Sequence, residues 1–426
     1  DRNVERTFGS LSAVTRRLAD RRGEMAGLCV TGQQHGVVVA DGALHPATSL
    51  INWQDRRCEE PFPGLDVTYV EHAVALAGPD APRRTGCRMA AGWMGATLFW
   101  MRTNEVLPPS GTACFIMDFF RSALTGQAPV TDPTNAAASG LFDVSRRTWD
   151  DAIVEALGIP KALLPEIVET GQASWTVSAA AASRTGLPEG LPVFVGMGDN
   201  QASFLGSVAD RGRSVLVNVG TGAQVSAYTE TFVYAPPLET RPFPMGGYLL
   251  TYAGLCGGRS YALLEGFFRA VGREILGVEV RESVYEAMNA LALSVADGAD
   301  GLGCEPLFAG SRENPELRGT LTGMSTENFT PAHLTRALLE GLADELYDHF
   351  DRIQAAAGKT YDRLTGAGNG LRKNSVLTGL VAKRFAMPLT FPRHREEAAL
   401  GAALVAGVGS GALPDLDAAG RLLTGD

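Results

Sequence analysis

Pro192-Val193-Phe194-Val195-Gly196-Met197-Gly198-Asp199-Asn200-Gln201-Ala202-Ser203-Phe204-Leu205 is the stretch that decides the fold. Pro192–Val195 reads as a short buried strand and Gly196–Gln201 as a polar, glycine-bearing turn. Ala202–Leu205 then starts a helix that Asp199 or Asn200 could cap. Open α/β sheets bind ligands where a strand gives way to a helix in this manner. Asp199 is the most informative titratable residue, because a carboxylate directly after a buried strand is partly desolvated yet reachable, the setting of a general base. A plain helix N-cap explains the same local sequence, and both readings stand at this point.

Outward from that stretch the grammar repeats. Upstream, Val4, Phe8, Leu11, Val14 and Leu18 recur at steps of three and four and predict a helix. Ala26–Val30 reads as a buried strand, Thr31-Gly32-Gln33-Gln34-His35-Gly36 as a polar loop, and Val37–Ala40 as a second strand. Between about Trp53 and Thr185 the pattern is mostly helical, an inserted layer. Downstream, Val215–Val219 is a strand ending in Gly220-Thr221-Gly222, and Thr330 caps a helix striped by Leu334, Leu338, Leu342, Leu346, Phe350 and Ile353. Tyr361–Leu364 runs into Thr365-Gly366-Ala367-Gly368-Asn369-Gly370, with a further helix from about Asn374. Two halves with matching punctuation, residues 1–208 and 209–426, predict two α/β domains with a cleft between them, although no internal repeat can be aligned.

The 426 residues are 45% hydrophobic and 20% charged, enough for two folded cores. A net charge of −10 without a cluster of basic residues speaks against nucleic acid. Cysteines 29, 58, 87, 114, 256 and 304 form no CxxC pair, which fits reduced thiols in the cytoplasm. No signal segment is legible, and the uncharged run Ala398–Pro414 is broken by four glycines, so neither secretion nor a membrane span is expected. The first residue is Asp rather than Met, and the chain is expected to be a fragment.

Glycines after a strand let backbone N–H groups approach an anion, so Gly220-Thr221-Gly222 and Gly366-Ala367-Gly368 could cradle phosphates; structural turns explain either motif taken singly. There is no Walker loop, and the four lysines (161, 359, 373 and 383) are not placed to serve one. Gly407-Val408-Gly409-Ser410-Gly411-Ala412 matches GxGxxA but follows a helical run, and is read as a helix end. Gly258-Arg259-Ser260-Tyr261-Ala262 lacks the last glycine of a nucleophile elbow, and the six histidines have no metal spacing. His35 and Asp55 sit in loops with amides and an aromatic ring, a mixture that suits a polyol as well as it suits ordinary solvated turns.

Taken in order, Gly32-Gln33-Gln34-His35-Gly36, Asn52–Cys58, Thr131-Asp132-Pro133-Thr134-Asn135-Ala136-Ala137, Gly198–Ser203, Asn218–Gly222, Gly366–Asn369 and Glu397–Ala403 resemble the FGGY carbohydrate kinases along nearly the whole chain. Trp53-Gln54-Asp55, Ala96–Trp100 and Gly303–Met324 with its Gly310-Ser311-Arg312 core are similar to members that take sedoheptulose. The resemblance implies an α/β fold of two actin-like (ribonuclease-H-like) domains closing over ATP and a ketose, with Mg²⁺ neutralising phosphate charge. It implies Asp199 as the base on the sugar's primary hydroxyl, and Gln34, His35, Trp53, Asp55 and Asn200 around the sugar. Gly220, Thr221 and Gly222 would face the β- and γ-phosphates, and Gly258, Gly366, Ala367, Gly368, Asn369 and Asn374 would lie around adenosine and the α-phosphate. No protein side chain is assigned to the metal.

Two departures from the family pattern stand out. Gln34 replaces a methionine common in relatives, so an additional hydrogen-bonding group is expected at the sugar. The N-terminal hairpin with an Asp-x-Gly-Thr-Thr phosphate motif is missing, which would leave the Ala26–Val30 strand unpaired on one edge. Poor folding and little activity are the expectation for such a chain. The competing acceptors are xylulose, ribulose and glycerol. The competing classes are a sugar-binding protein without turnover and an actin- or chaperone-type ATPase, and self-association as a homodimer is left open.

Overall fold

Two main sheets carry the molecule, which the computed structural model describes over residues 2–311, 314 and 316–423; Arg312, quoted above, lies outside the described residues. In the smaller sheet, β1 (Leu28–Gly32) runs parallel to β3 (Pro192–Gly198), whose other side pairs antiparallel with β2 (Ala173–Thr176). The larger sheet has six strands: β4 (Ser214–Val219), β5 (Ala223–Thr229), β6 (Glu239–Pro242), β7 (Tyr248–Leu255), β8 (Arg363–Ala367) and β9 (Leu389–Thr390). Their spatial order is β6-β7-β5-β4-β8-β9, antiparallel up to β4 and parallel from β4 to β9. A near-continuous apolar run such as Val215-Leu216-Val217 suits β4, which is buried on both faces.

Helices close both faces of the larger sheet. The 27-residue α4 (Pro331–Ala357), capped by Thr330 as its sequence predicts, buries Leu338, Leu342, Leu346, Phe350 and Ile353 against one face. On the other face, α2 (Asp199–Ser207) brings Phe204 and Leu205 onto Leu216, Tyr228 and Leu249. Crossing α2 is α6 (Glu397–Gly409), which adds Leu404 and Val405 to the same core. The crossing is tight: a side chain at Gly206 would overlap the Glu397 carbonyl, and one at Gly401 the Ala202 carbonyl. As expected, the GxGxxA match is the end of a helix.

Several boundaries differ from their sequence readings. The strand expected at Ala26–Val30 starts two residues later and runs to Gly32. β3 continues through Gly198 instead of stopping at Val195, because Gly32 pairs with Gly198 and extends the ladder. Val38–Ala40 pairs with Thr112–Cys114 in a ribbon of its own, and further two-residue strands interrupt the layer read as helical. In α1 (Arg2–Arg17) Val4, Phe8 and Thr15 are buried, whereas Val14, expected on the same face, is 51% exposed. β1 pairs with β3 alone among the described residues, and all five of its residues are half-buried.

Candidate active site

β3 delivers Asp199 to the first position of α2. Gly198, not Asp199 or Asn200, is the residue before the first helical turn, and no side chain caps that end. Gly198 has a steric reason: a Cβ there would overlap the Gln34 side chain. Its N–H donates to Thr134 Oγ1 at 2.9 Å, and Thr134 in turn donates to Asp132 Oδ1 at 3.0 Å. Asp132, the cap of the short helix Pro133–Ala136, also accepts from Thr170 Oγ1 at 2.6 Å. A buried hydrogen-bond chain thus fixes the strand-to-helix junction that carries Asp199. Burial lifts the Asp132 carboxyl to about 6 in spite of these donors.

Around the junction a polar cluster is assembled from both halves of the chain. Gln34 is 4% exposed and its amide is turned into protein: Nε2 donates to the Thr134 carbonyl at 2.9 Å and to Gln201 Oε1 at 3.3 Å, and Oε1 accepts from Arg241 Nη1 at 3.1 Å. The expectation that Gln34 offers a sugar an additional hydrogen-bonding group therefore differs from its observed placement, since neighbours hold both ends of the amide. Arg241 comes from β6 of the larger sheet and is itself held by Glu239, 2.8 Å from its Nε. Gln201 Nε2 donates to the Pro242 carbonyl at 3.1 Å, tying α2 to the same strand.

The electrostatics of Asp199 follow from this cluster. Burial raises its pKa above the usual carboxylate range, while the Asn200 backbone N–H and the charge of Arg241 pull it back down. A base that is desolvated but kept ionisable by a fixed cation is suited to accept a proton from a hydroxyl. Asn200 Oδ1 is buried without a hydrogen-bond partner, as are both polar side-chain atoms of Asn135, next to Thr134. Orphaned buried polar groups cost free energy.

The other residues expected around a sugar are placed unevenly. His35 lies at positive φ, stacks on Trp93 at 4.3 Å between centroids, and donates from Nδ1 to the Ala138 carbonyl at 2.9 Å. Trp53 is 50% exposed, with its backbone packed against Gly92, the neighbour of Trp93. Asp55 is occupied by Arg57, which reaches both carboxylate oxygens at 2.8 and 2.9 Å and holds its pKa below the usual range. Arg57 in turn lies over the Trp100 ring. Gln34 and Asp199 are thus brought together, His35 follows Gln34 and stacks on Trp93, the Trp53 backbone lies against Gly92, and among the described residues no contact joins Asp55 to Asp199.

The glycine motifs converge at one end of the larger sheet. β4 and β8 pair in register, Val217 with Gly366 and Asn218 with Ala367, so the loops after them are neighbours. Gly258 N–H donates to the Gly220 carbonyl at 2.9 Å and Arg259 N–H to the Thr221 carbonyl at 3.0 Å, which docks α3 (Gly257–Glu274) on the first loop. Thr221 and Gly222 are exposed. At Gly368, φ is +84°, and a Cβ would overlap the Val219 carbonyl, so the second loop closes on the first only because that position is glycine. Gly366 and Ala367 belong to β8 and are buried, in contrast to their reading as loop; Asn369 is exposed. Asn374 caps α5 (Ser375–Phe385), accepting from Leu377 N–H at 3.0 Å.

Sequence reasoning missed Arg241 and Glu239, and quoted Gln201, Thr134 and Asn135 without a role. A glutamate and an arginine two apart in Glu239-Thr240-Arg241-Pro242 share one face of a strand, and that pairing was the available signal. Among the described residues no group of three or more His, Cys, Asp or Glu side chains could hold a metal, and no helix is long and apolar enough to cross a membrane.

Comparison with known proteins adds independent findings. Residues 1–206 match the N-terminal domain of the FGGY family of carbohydrate kinases, and residues 219–410 its C-terminal domain. Sedoheptulokinase from Homo sapiens is 30% identical over 89% of this chain and 80% of its own length. Glycerol kinase from Trichlorobacter lovleyi is 31% identical over 94% and 79%. The crystal structure of xylulose kinase from Rhodospirillum rubrum superimposes with a TM-score of 0.81 at 29% identity, covering 93% of this chain and 78% of that one.

Proposed function

The chain belongs to the FGGY family of carbohydrate kinases, with the two-domain actin-like fold of its structural neighbours, and on that premise we propose that it transfers the γ-phosphoryl group of ATP to the primary hydroxyl of a ketose. Sedoheptulose, giving sedoheptulose 7-phosphate and ADP, is the acceptor we favour, on the similarity to sedoheptulokinase. The observation that carries the reading is Asp199, fixed at the end of β3 beside Gln34 and Arg241.

In this reading residues 1–208 hold the sugar and residues 209–426 the nucleotide. Asp199 takes the proton as the hydroxyl oxygen bonds to the γ-phosphorus and the bond to the β,γ-bridging oxygen breaks, releasing ADP. Little covalent work falls to the protein, and alignment and charge placement lower the barrier. Asn200 and Asn135, with orphaned polar atoms, receive sugar hydroxyls, and Trp53 and His35 pack on the carbohydrate's C–H face. The loops at Gly220–Gly222 and Gly368–Asn369 line the phosphates and adenosine, with Gly258 and Asn374 holding their frame. Mg²⁺ enters this account as part of the MgATP substrate. Six free cysteines support a cytoplasmic setting.

The test is ADP formation across sedoheptulose, xylulose, ribulose and glycerol. The expected result is acceptor-dependent ADP with the highest kcat/KM for sedoheptulose. Preference for another acceptor would move the assignment within the family, and sugar binding without ADP formation would leave a binding protein.

A further inference from the structure

A cavity of about 450 Å³ opens away from the site just described, within the size range of small-ligand pockets. Its lining comes from the starts of β4 and β8, at Ser214 and Arg363, whereas the glycine loops follow the opposite ends of those strands. With about 3.3 Å of rise per residue, β4 alone separates the two places by roughly 17–20 Å. Leu364, Pro388, Phe391 and Leu400 give the cavity an apolar floor.

The polar part of the lining carries charges of both signs. Arg363, Arg393 and His394 contribute to it, with Asp210 and Asp362 as the acids. Both acids already have partners: Asp210 lies 3.7 Å from Arg363, and Asp362 accepts from Arg213 Nε at 3.0 Å. Among the described residues neither Arg393 nor His394 has an ion-pair partner. With both acids paired, the guanidinium of Arg393 is left without a counter-ion, a place for an anion. Ser207, 6% exposed and lining the cavity, has a buried hydroxyl without a hydrogen-bond partner. Ser207 ends α2, the helix that begins with Asp199, about 12 Å away by helical rise.

We propose that this cavity binds a small phosphomonoester, its phosphate on Arg363, Arg393 and His394 and its body over Phe391 and Leu400. Guanidinium groups match phosphate oxygens in pairs, which makes Arg393 the main anchor.

Calorimetry without nucleotide tests this, with ribose 5-phosphate as the probe and inorganic phosphate and ribose for comparison. Ribose 5-phosphate should bind, at least tenfold more tightly than either comparison compound. Arg393→Ala with His394→Ala should weaken it tenfold or more, and Arg393→Lys, which keeps the charge but loses the paired contact, by a smaller but measurable factor. Asn200→Ala, at the sugar-side cluster, should leave it unchanged. Both rim residues are exposed, so the variants should melt as the parent does. The proposal is overturned if no probe binds at millimolar concentration, if inorganic phosphate binds equally well, or if Asn200→Ala abolishes binding while the rim variant keeps it.

Discussion

The two regions that the proposed function assigns to acceptor and nucleotide are built from different material. Around Asp199 the wall consists of side chains, and Gln34, Thr134, Gln201, Arg241 and Glu239 are bonded to one another or to the junction that presents the base. Around Gly220 and Gly368 it consists of backbone, held close because no side chain intervenes. The difference teaches where each kind of substitution should act. Altering the first wall changes proton affinity and turnover, and altering the second displaces the chain itself.

The largest effect is expected from Gly368→Val. Its side chain would meet the Val219 carbonyl at a backbone conformation that valine resists, so about 3 kcal/mol or more of stability and measurable ATP affinity should be lost. Chemical denaturation and nucleotide titration check this, and unchanged affinity would break the contrast between the walls.

Next comes Arg241→Met, made together with Glu239→Gln so that no buried carboxylate is left unpaired. Turnover should fall about 10²-fold at neutral pH, the scale of losing one preorganised charge. Burial raises the pKa of Asp199 and Arg241 lowers it, so removing the arginine raises it further. The base then needs a higher pH to ionise, and the acid limb of kcat/KM should move upward in pH. A limb that stays in place would remove Arg241 from the account.

Thr134→Val should be milder. It leaves the Gly198 N–H without its acceptor, at a cost of about 1–3 kcal/mol in stability, and should lower kcat more than it raises KM; Thr134→Ser should restore both. The smallest effect belongs to Trp53→Ala, a half-exposed ring, expected to raise the KM for the sugar about fivefold with kcat kept.

The contrast also explains what could be read in advance. Glycine loops after strands are local patterns, and so is the 27-residue helix with its cap and stripe. The step from β3 to Asp199 was legible as chemistry, but its geometry was not. A capping carboxylate and a carboxylate at the first helical position have the same local sequence, and the pairing of Gly198 with Gly32, which carries the strand up to Asp199, is a long-range feature. The spacing of Glu239 and Arg241 was a local signal, but what the pair serves was not legible, because Gln34 and Asp199 lie in the other half of the chain. Asp55 looked like a ligand group from its loop, yet Arg57, two residues on, takes both its oxygens.

The central claim is that Asp199 deprotonates the acceptor, and Asp199→Asn tests it most directly when turnover and sugar affinity are measured on the same protein. The account predicts ketose binding within a few-fold of the parent and acceptor-dependent ADP formation reduced by about 10²–10⁴. Unchanged turnover in a correctly folded Asp199→Asn protein would contradict it.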